Sequence, residues 1–92
     1  MLHVELVPDL YHCIETVARR EYENTLKKLL GIEETNEELE ERLQILRLFL
    51  QTVAFKKLRM ESEQHLLIGR KVRFIVYLRG CALKYDMEVE DS

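Results

Sequence analysis

The residues of this chain that could bind a metal ion are few, and their spacing is the first test for a chemical function. The candidate ligands are His3, His12, Cys13 and His65. No two of them have the i, i+4 spacing or the Cys-x₂-Cys spacing that builds a metal site within one element. His12 and Cys13 are adjacent, so on a helix they would point about 100° apart. These residues therefore predict no metal site and no bound cofactor.

An acidic run between residues 33 and 41 offers a different kind of metal site, made of Glu33, Glu34, Glu37, Glu38, Glu40 and Glu41. The pattern Glu34-x-x-Glu37-Glu38 resembles the first motif of the all-helical nucleotide pyrophosphatases, and the resemblance implies Mg²⁺ held by clustered carboxylates. Such a site needs acids three residues apart on a second helix, whereas Glu61 and Glu63 are two apart. Acids also gather in a first helical turn because the helix dipole favours them there. A metal-dependent enzyme is therefore our third hypothesis.

Nucleophilic catalysis and phosphate binding by a glycine-rich loop find no support in the sequence. The chain has two serines, Ser62 and Ser92, and neither lies in a Gly-x-Ser-x-Gly elbow. Its three glycines, Gly31, Gly69 and Gly80, each fit a helix stop or a turn, so no phosphate-binding loop is predicted. An enzyme is consequently not favoured.

Charge is unevenly distributed along the chain. Residues 55–84 contain eight basic and two acidic residues, a net charge of +6 that leaves −9 elsewhere because the whole chain carries −3. Lys and Arg clusters can contact phosphates by releasing counterions. We therefore keep nucleic-acid binding as the alternative function, with candidate contacts at Lys56, Lys57, Arg59, Arg70, Lys71 and Arg73.

The spacing of apolar residues changes at Gly69. From about residue 8 to 68 apolar residues recur every three to four positions, as in amphipathic helices, and from about 71 to 90 they alternate, as in half-buried strands. Residues 2–6 also alternate. We predict one α+β domain over 1–92, with three helices packed on a small antiparallel sheet. A C-terminal β-hairpin forms this sheet, which the N-terminal strand could join.

The predicted helices have recognisable ends. Asp9, after Pro8, can cap the first helix, and Gly31 can stop it in a left-handed conformation. Thr35 and Glu38 fit a capping box at the start of the second helix.

No Gly or Pro occurs between Asn36 and Ile68. One helix over that range would be about 50 Å long, whereas a folded chain of this size has a diameter of about 30 Å. We therefore predict a break between Thr52 and Phe55, the alternative being one long helix packed against a second chain.

The second predicted helix is apolar around most of its circumference, at Leu43, Ile45, Leu46, Leu48, Phe49 and Leu50. A helix of this kind must be covered on nearly all sides. Either it is central in the monomer core or it lies at the interface of a homodimer. We take the dimer as the leading hypothesis, so the predicted function is binding or assembly.

Composition restricts the location of the chain. The longest stretch without charge, residues 48–55, has eight residues, far fewer than the roughly 20 that a membrane span needs. Glu5 and Asp9 interrupt any apolar start, so no secretory signal is expected and the predicted location is cytoplasmic. Scarce Asn, Gln and Ser beside plentiful Glu, Lys and Arg favour a heat-adapted source.

Overall fold

Three helices and three strands make up the protein, seen here in a computed structural model that describes residues 2–91. In chain order they are β1 (His3–Leu6), α1 (Ile14–Leu30), α2 (Glu37–Thr52), α3 (Phe55–Leu66), β2 (Lys71–Arg79) and β3 (Ala82–Glu90). The α+β fold predicted from the change of apolar spacing is confirmed. Both the C-terminal hairpin and the N-terminal strand are present.

The strands form one antiparallel sheet in the order β1-β2-β3. His3 lies opposite Tyr77 and Leu6 opposite Phe74, while all nine residues of β2 pair with β3 on the other side. β2 is therefore the central strand. This agrees with its sequence, because residues 74–77 are apolar on both faces.

The core lies between the helices and one face of the sheet. Alternate residues of β1 and β2 are buried on that face, as expected from the two-residue period of a strand. The buried cluster contains Val4, Leu6, Ile14, Ala18, Ile45, Leu46, Phe49, Leu58, Val72, Phe74 and Val76. The opposite face, which we call the open face, carries the remaining alternate residues of the strands.

Helix α1 begins at Ile14, later than the predicted start after Pro8. The Asp9 carboxylate instead closes a turn before the helix, accepting hydrogen bonds from the backbone N–H of Tyr11 at 2.8 Å and of His12 at 2.7 Å. These hydrogen bonds, that from Tyr11 foremost, lower the pKa of Asp9. The helix N-cap is Cys13. The prediction that Asp9 caps the helix was wrong because the same carboxylate chemistry also stabilises turns.

Two further helix ends differ from the prediction. Gly31 has a φ of −89°, so it is not a left-handed stop, and its N–H donates to the Lys27 carbonyl at 3.1 Å. The N-cap of α2 is Asn36 rather than Thr35, with Asn36 Oδ1 accepting from the Leu39 N–H at 3.0 Å. Asn and Thr are both good caps, and adjacent candidates cannot be separated by sequence alone.

The predicted break between the second and third helices is confirmed. Helix α2 ends at Thr52 and α3 begins at Phe55. Between them Val53 has an extended backbone, with φ −85° and ψ 150°. The break lets α2 and α3 both pack against β2, and the longest dimension of the molecule is 45 Å.

Candidate interaction surface

Strand β3 lies at an edge of the sheet, and within residues 2–91 no other strand pairs with its outer side. It is nine residues long, and its register with β2 runs unbroken, so no bulge twists the edge away. Residues 82–90 contain no proline. This edge therefore presents backbone donors and acceptors to which another strand could pair.

The turn between β2 and β3 determines which backbone groups point outward. Gly80 has a φ of +65° and Cys81 does not have a positive φ, as in the two-residue type II′ turn. Arg79 and Ala82 close this turn as a hydrogen-bonded pair, and such pairs alternate along an antiparallel ladder. Residues 83, 85, 87 and 89 therefore direct their N–H and C=O groups to the free edge.

The two faces of β3 differ in chemistry. On the helix side, Tyr85 lies against two core aromatics, with ring centroids 6.1 Å from Phe49 and 6.3 Å from Phe74. Leu83 and Met87 are partly buried on the same side. The open face carries Lys84, Asp86, Glu88 and Glu90. The alternation in the sequence predicted a half-buried strand here, but no local pattern marks the outer edge of β3 as an interaction surface.

Arg73 stands on the open face of the central strand and bridges both neighbouring strands. Its Nη1 lies 2.9 Å from Glu5 Oε1, and its Nη2 donates to Glu88 Oε1 at 2.6 Å. The hydrogen bond to Glu88 foremost, with the charge of that carboxylate, raises the pKa of Arg73. The charge of Arg73, a candidate for polyanion binding, is therefore already balanced within the fold.

Two further candidates for polyanion binding, Arg70 and Lys71, also lie beside acidic residues. Arg70 Nε donates to Asp91 Oδ1 at 2.9 Å. Lys71 lies directly opposite Glu90 in the register of β2 and β3. The tertiary structure thus brings acidic residues 90 and 91 beside basic residues that form one cluster along the sequence.

The remaining polyanion candidates, Lys56, Lys57 and Arg59, are exposed on α3. Lys57 Nζ lies 4.0 Å from Glu61 Oε1. Helix α3 packs on the core face of β2, whereas Arg73 lies on the open face. The six candidates are therefore divided between two sides of the sheet rather than gathered on one surface.

The six apolar residues of α2 proposed as an interface lie mostly in the core of the monomer. Ile45, Leu46 and Phe49 have no accessible surface, and Leu43 is 9% exposed. Leu48 and Leu50 are half-buried. The sheet and α1 cover this helix from two sides, which accounts for its broad apolar circumference. Interface formation through α2 stays a prediction, with Leu48 and Leu50 as the members that have accessible surface.

The glutamates at 33–41 are exposed, in the loop before α2 and in its first turns. Among residues 2–91 no three His, Cys, Asp or Glu side chains are placed to hold a metal ion together. No geometry of these residues adds to the resemblance to nucleotide pyrophosphatases.

Both cysteines are free thiols. Cys13 is half-buried at the start of α1, and its Sγ lies 3.3 Å from the Thr16 hydroxyl. That hydrogen bond foremost lowers the pKa of the Cys13 thiol. Cys81 is exposed in the turn between β2 and β3.

A second exposed feature lies at the end of the sheet where β1 ends and β2 begins. The two connections there carry five exposed apolar side chains: Val7, Leu10, Tyr11, Leu67 and Ile68.

This arrangement defines a small α+β domain with an open sheet edge. The chain belongs to an uncharacterised protein family, whose model matches residues 2–84. No curated protein and no solved structure matches the chain. Within residues 2–91 none of the helices has the length and apolar character needed to cross a membrane.

Proposed function

We propose that this protein acts through binding and assembly, as a homodimer that forms at the free edge of β3. The observation that carries the proposal is the length and accessibility of this edge: nine residues in unbroken register, with no strand of residues 2–91 on the outer side. Unpaired strand edges of this kind are templates for pairing with another chain.

Proteins that remain monomeric usually protect such an edge. The common devices are a very short strand, charged side chains on the edge, a proline, a bulge, an inward-pointing charge, or a covering helix or loop. The other edge strand, β1, has four residues and contacts both α1 and α2. Strand β3 is longer and has no proline, no bulge and no inward-pointing charge; its four charged side chains, Lys84 among them, lie on the open face, and its helix-side residues are apolar. The difference between the two edges supports pairing at β3.

In this proposal helix α2 positions a residue of the contact surface, Tyr85, and is not itself the contact surface. Phe49, which has no accessible surface, lies edge-to-face against Tyr85 with ring centroids 6.1 Å apart. Tyr85 is still 39% exposed. A second copy at the edge would cover that remaining surface, so the apolar character of α2 contributes by fixing the position of Tyr85.

Sedimentation equilibrium of the full chain at low and high salt tests this function. We expect twice the monomer mass of 11.0 kDa at micromolar concentration. Backbone pairing and apolar contacts should keep the dimer intact at high salt, because only the charged contacts are screened. A monomer at every concentration and both salts would show that the proposed function is wrong.

A further inference from the structure

We propose that two copies pair β3 against β3 in antiparallel orientation, about a twofold axis that passes beside Tyr85. This inference rests on the proposed function and specifies its contact. The order of charged residues along β3 supports it, because that order favours one of the possible antiparallel registers between the two β3 strands.

Antiparallel pairing restricts the possible registers. Residues directly opposite each other in such a pair point to the same face of the sheet. The outward-pointing groups of residues 83, 85, 87 and 89 must also meet each other. In the registers that pair at least five residues of each β3 strand, the twofold axis passes beside residue 84, 85, 86, 87 or 88, and each choice gives a different set of facing charges.

Only one of these five registers places opposite charges together without a like-charge pair. An axis beside Lys84 sets lysine against lysine, and an axis beside Asp86 sets aspartate against aspartate. An axis beside residue 87 sets Asp86 against Glu88, and an axis beside residue 88 sets glutamate against glutamate. An axis beside Tyr85 sets Lys84 of each copy against Asp86 of the other, twice by symmetry. Opposite-charge pairs across strands stabilise pairing and like charges oppose it.

The helix side of the sheet is complementary in the same register. Tyr85 would face Tyr85 of the second copy, and Leu83 would face Met87. Aromatic pairs across strands are favourable, and each tyrosine already rests on Phe49 and Phe74 of its own chain. Apolar surface thus meets apolar surface on one face, and acid meets base on the other.

Pairing through β3 also limits the assembly to two copies of the chain. Pairing at β3 would give a six-stranded sheet with a four-residue β1 at each outer edge. A twofold interface uses the same surface on both copies and is then closed. The occupant of the edge is therefore a second copy of this chain, and the assembly is a dimer.

Charge reversal at the two facing positions tests the register. We would measure dimer dissociation constants by sedimentation for the wild type, Lys84→Asp, Asp86→Lys and an equimolar mixture of the two variants. Each variant alone turns both salt bridges into like-charge pairs, so we expect its dissociation constant to rise about tenfold or more.

The mixture should restore the dimer. In a heterodimer the aspartate introduced in one variant would face the lysine introduced in the other. The unchanged Asp86 of the first variant would likewise face the unchanged Lys84 of the second. Both facing pairs are then of opposite charge, so heterodimers should form with the wild-type constant to within about threefold.

Two variants on α3 serve as matched controls, Lys56→Asp and Glu63→Lys. Both positions are exposed on α3 and are not part of the edge strand, and the changes in net charge equal those of the test variants. Circular dichroism and melting temperature confirm that all four variants fold.

Each outcome separates the two proposals. If the wild type dimerises but Lys84→Asp and Asp86→Lys weaken it no more than the controls do, the register is wrong while assembly stands. If each variant weakens the dimer but their mixture does not restore it, the register is also wrong. If the wild type is a monomer, both proposals are wrong.

Discussion

Truncation of Phe49 to alanine distinguishes a core role of α2 from an interface role. Phe49 has no accessible surface, and its ring lies edge-to-face against Phe55 and Tyr85, at centroid distances of 5.4 and 6.1 Å. Removing a buried phenylalanine side chain costs about 3–5 kcal/mol through lost transfer energy and the cavity left behind. At about 0.05–0.15 kcal/mol per residue, a chain of this length has a total stability of about 5–14 kcal/mol.

We therefore expect Phe49→Ala to remove about a fifth or more of the free energy of unfolding and to lower the melting temperature by at least about 12 °C. The control is Leu48→Ala on the same helix, where the side chain is half-buried. Its expected cost is about 1 kcal/mol, because less apolar surface returns to water.

Urea unfolding at low and high micromolar protein concentration is the assay. If Phe49 acts within the monomer core, its full cost of about 3–5 kcal/mol is already present at the low concentration, where the dimer is dissociated. A cost below about 1.5 kcal/mol, equal to that of Leu48→Ala, would refute the core role. The core role would also be refuted if Phe49→Ala weakened association but left the stability of the monomer unchanged. That result would indicate that α2 lies at the dimer interface.

Three further predictions concern the local structure. Asn36→Ala should cost about 1 kcal/mol in urea unfolding and Thr35→Ala close to zero, because Asn36 caps α2; equal costs would contradict this assignment. Gly80→Ala should cost about 1–2 kcal/mol, since a φ of +65° strains any residue with a side chain; an unchanged midpoint would speak against the type II′ turn. The pKa of Asp9 is lowered on folding, so its contribution is full above the unfolded value of about 3.9 and disappears as the pH falls through the folded value. Asp9→Ala should therefore lower stability at pH 7 and show a smaller loss between about pH 5 and pH 2 than the wild type; identical pH profiles would contradict the turn hydrogen bonds.

Most of the secondary structure could be predicted because it depends on local patterns. The apolar period of 3.6 or 2 reports which side of an element is buried, and this indicated three helices and a hairpin. The break at Val53 followed from length alone, since one helix would have outgrown its core. Helix ends were less certain. Asp9 and Asn36 show why: several polar residues near an end can accept the same backbone hydrogen bonds, and tertiary packing selects among them.

The candidate surfaces depended more strongly on tertiary structure. The sequence grouped Arg70, Lys71 and Arg73 into one basic segment, but the fold sets Asp91, Glu90 and Glu88 beside them. Electrostatic pairing across strands is a contact between residues distant in the chain, so charge counts along the sequence could not show it.

By itself, the sequence determined the class of fold, the position of the turn at Gly80 and the alternation of charged and apolar residues on β3, because each depends on neighbours within a few positions. Only the tertiary structure decided that Ile45, Leu46 and Phe49 are buried in the monomer core. It also decided that no other strand of residues 2–91 pairs with the outer side of β3. Burial and edge exposure depend on which elements meet in space. Burial and edge exposure are determined only when the whole chain packs, so no local sequence pattern predicts them.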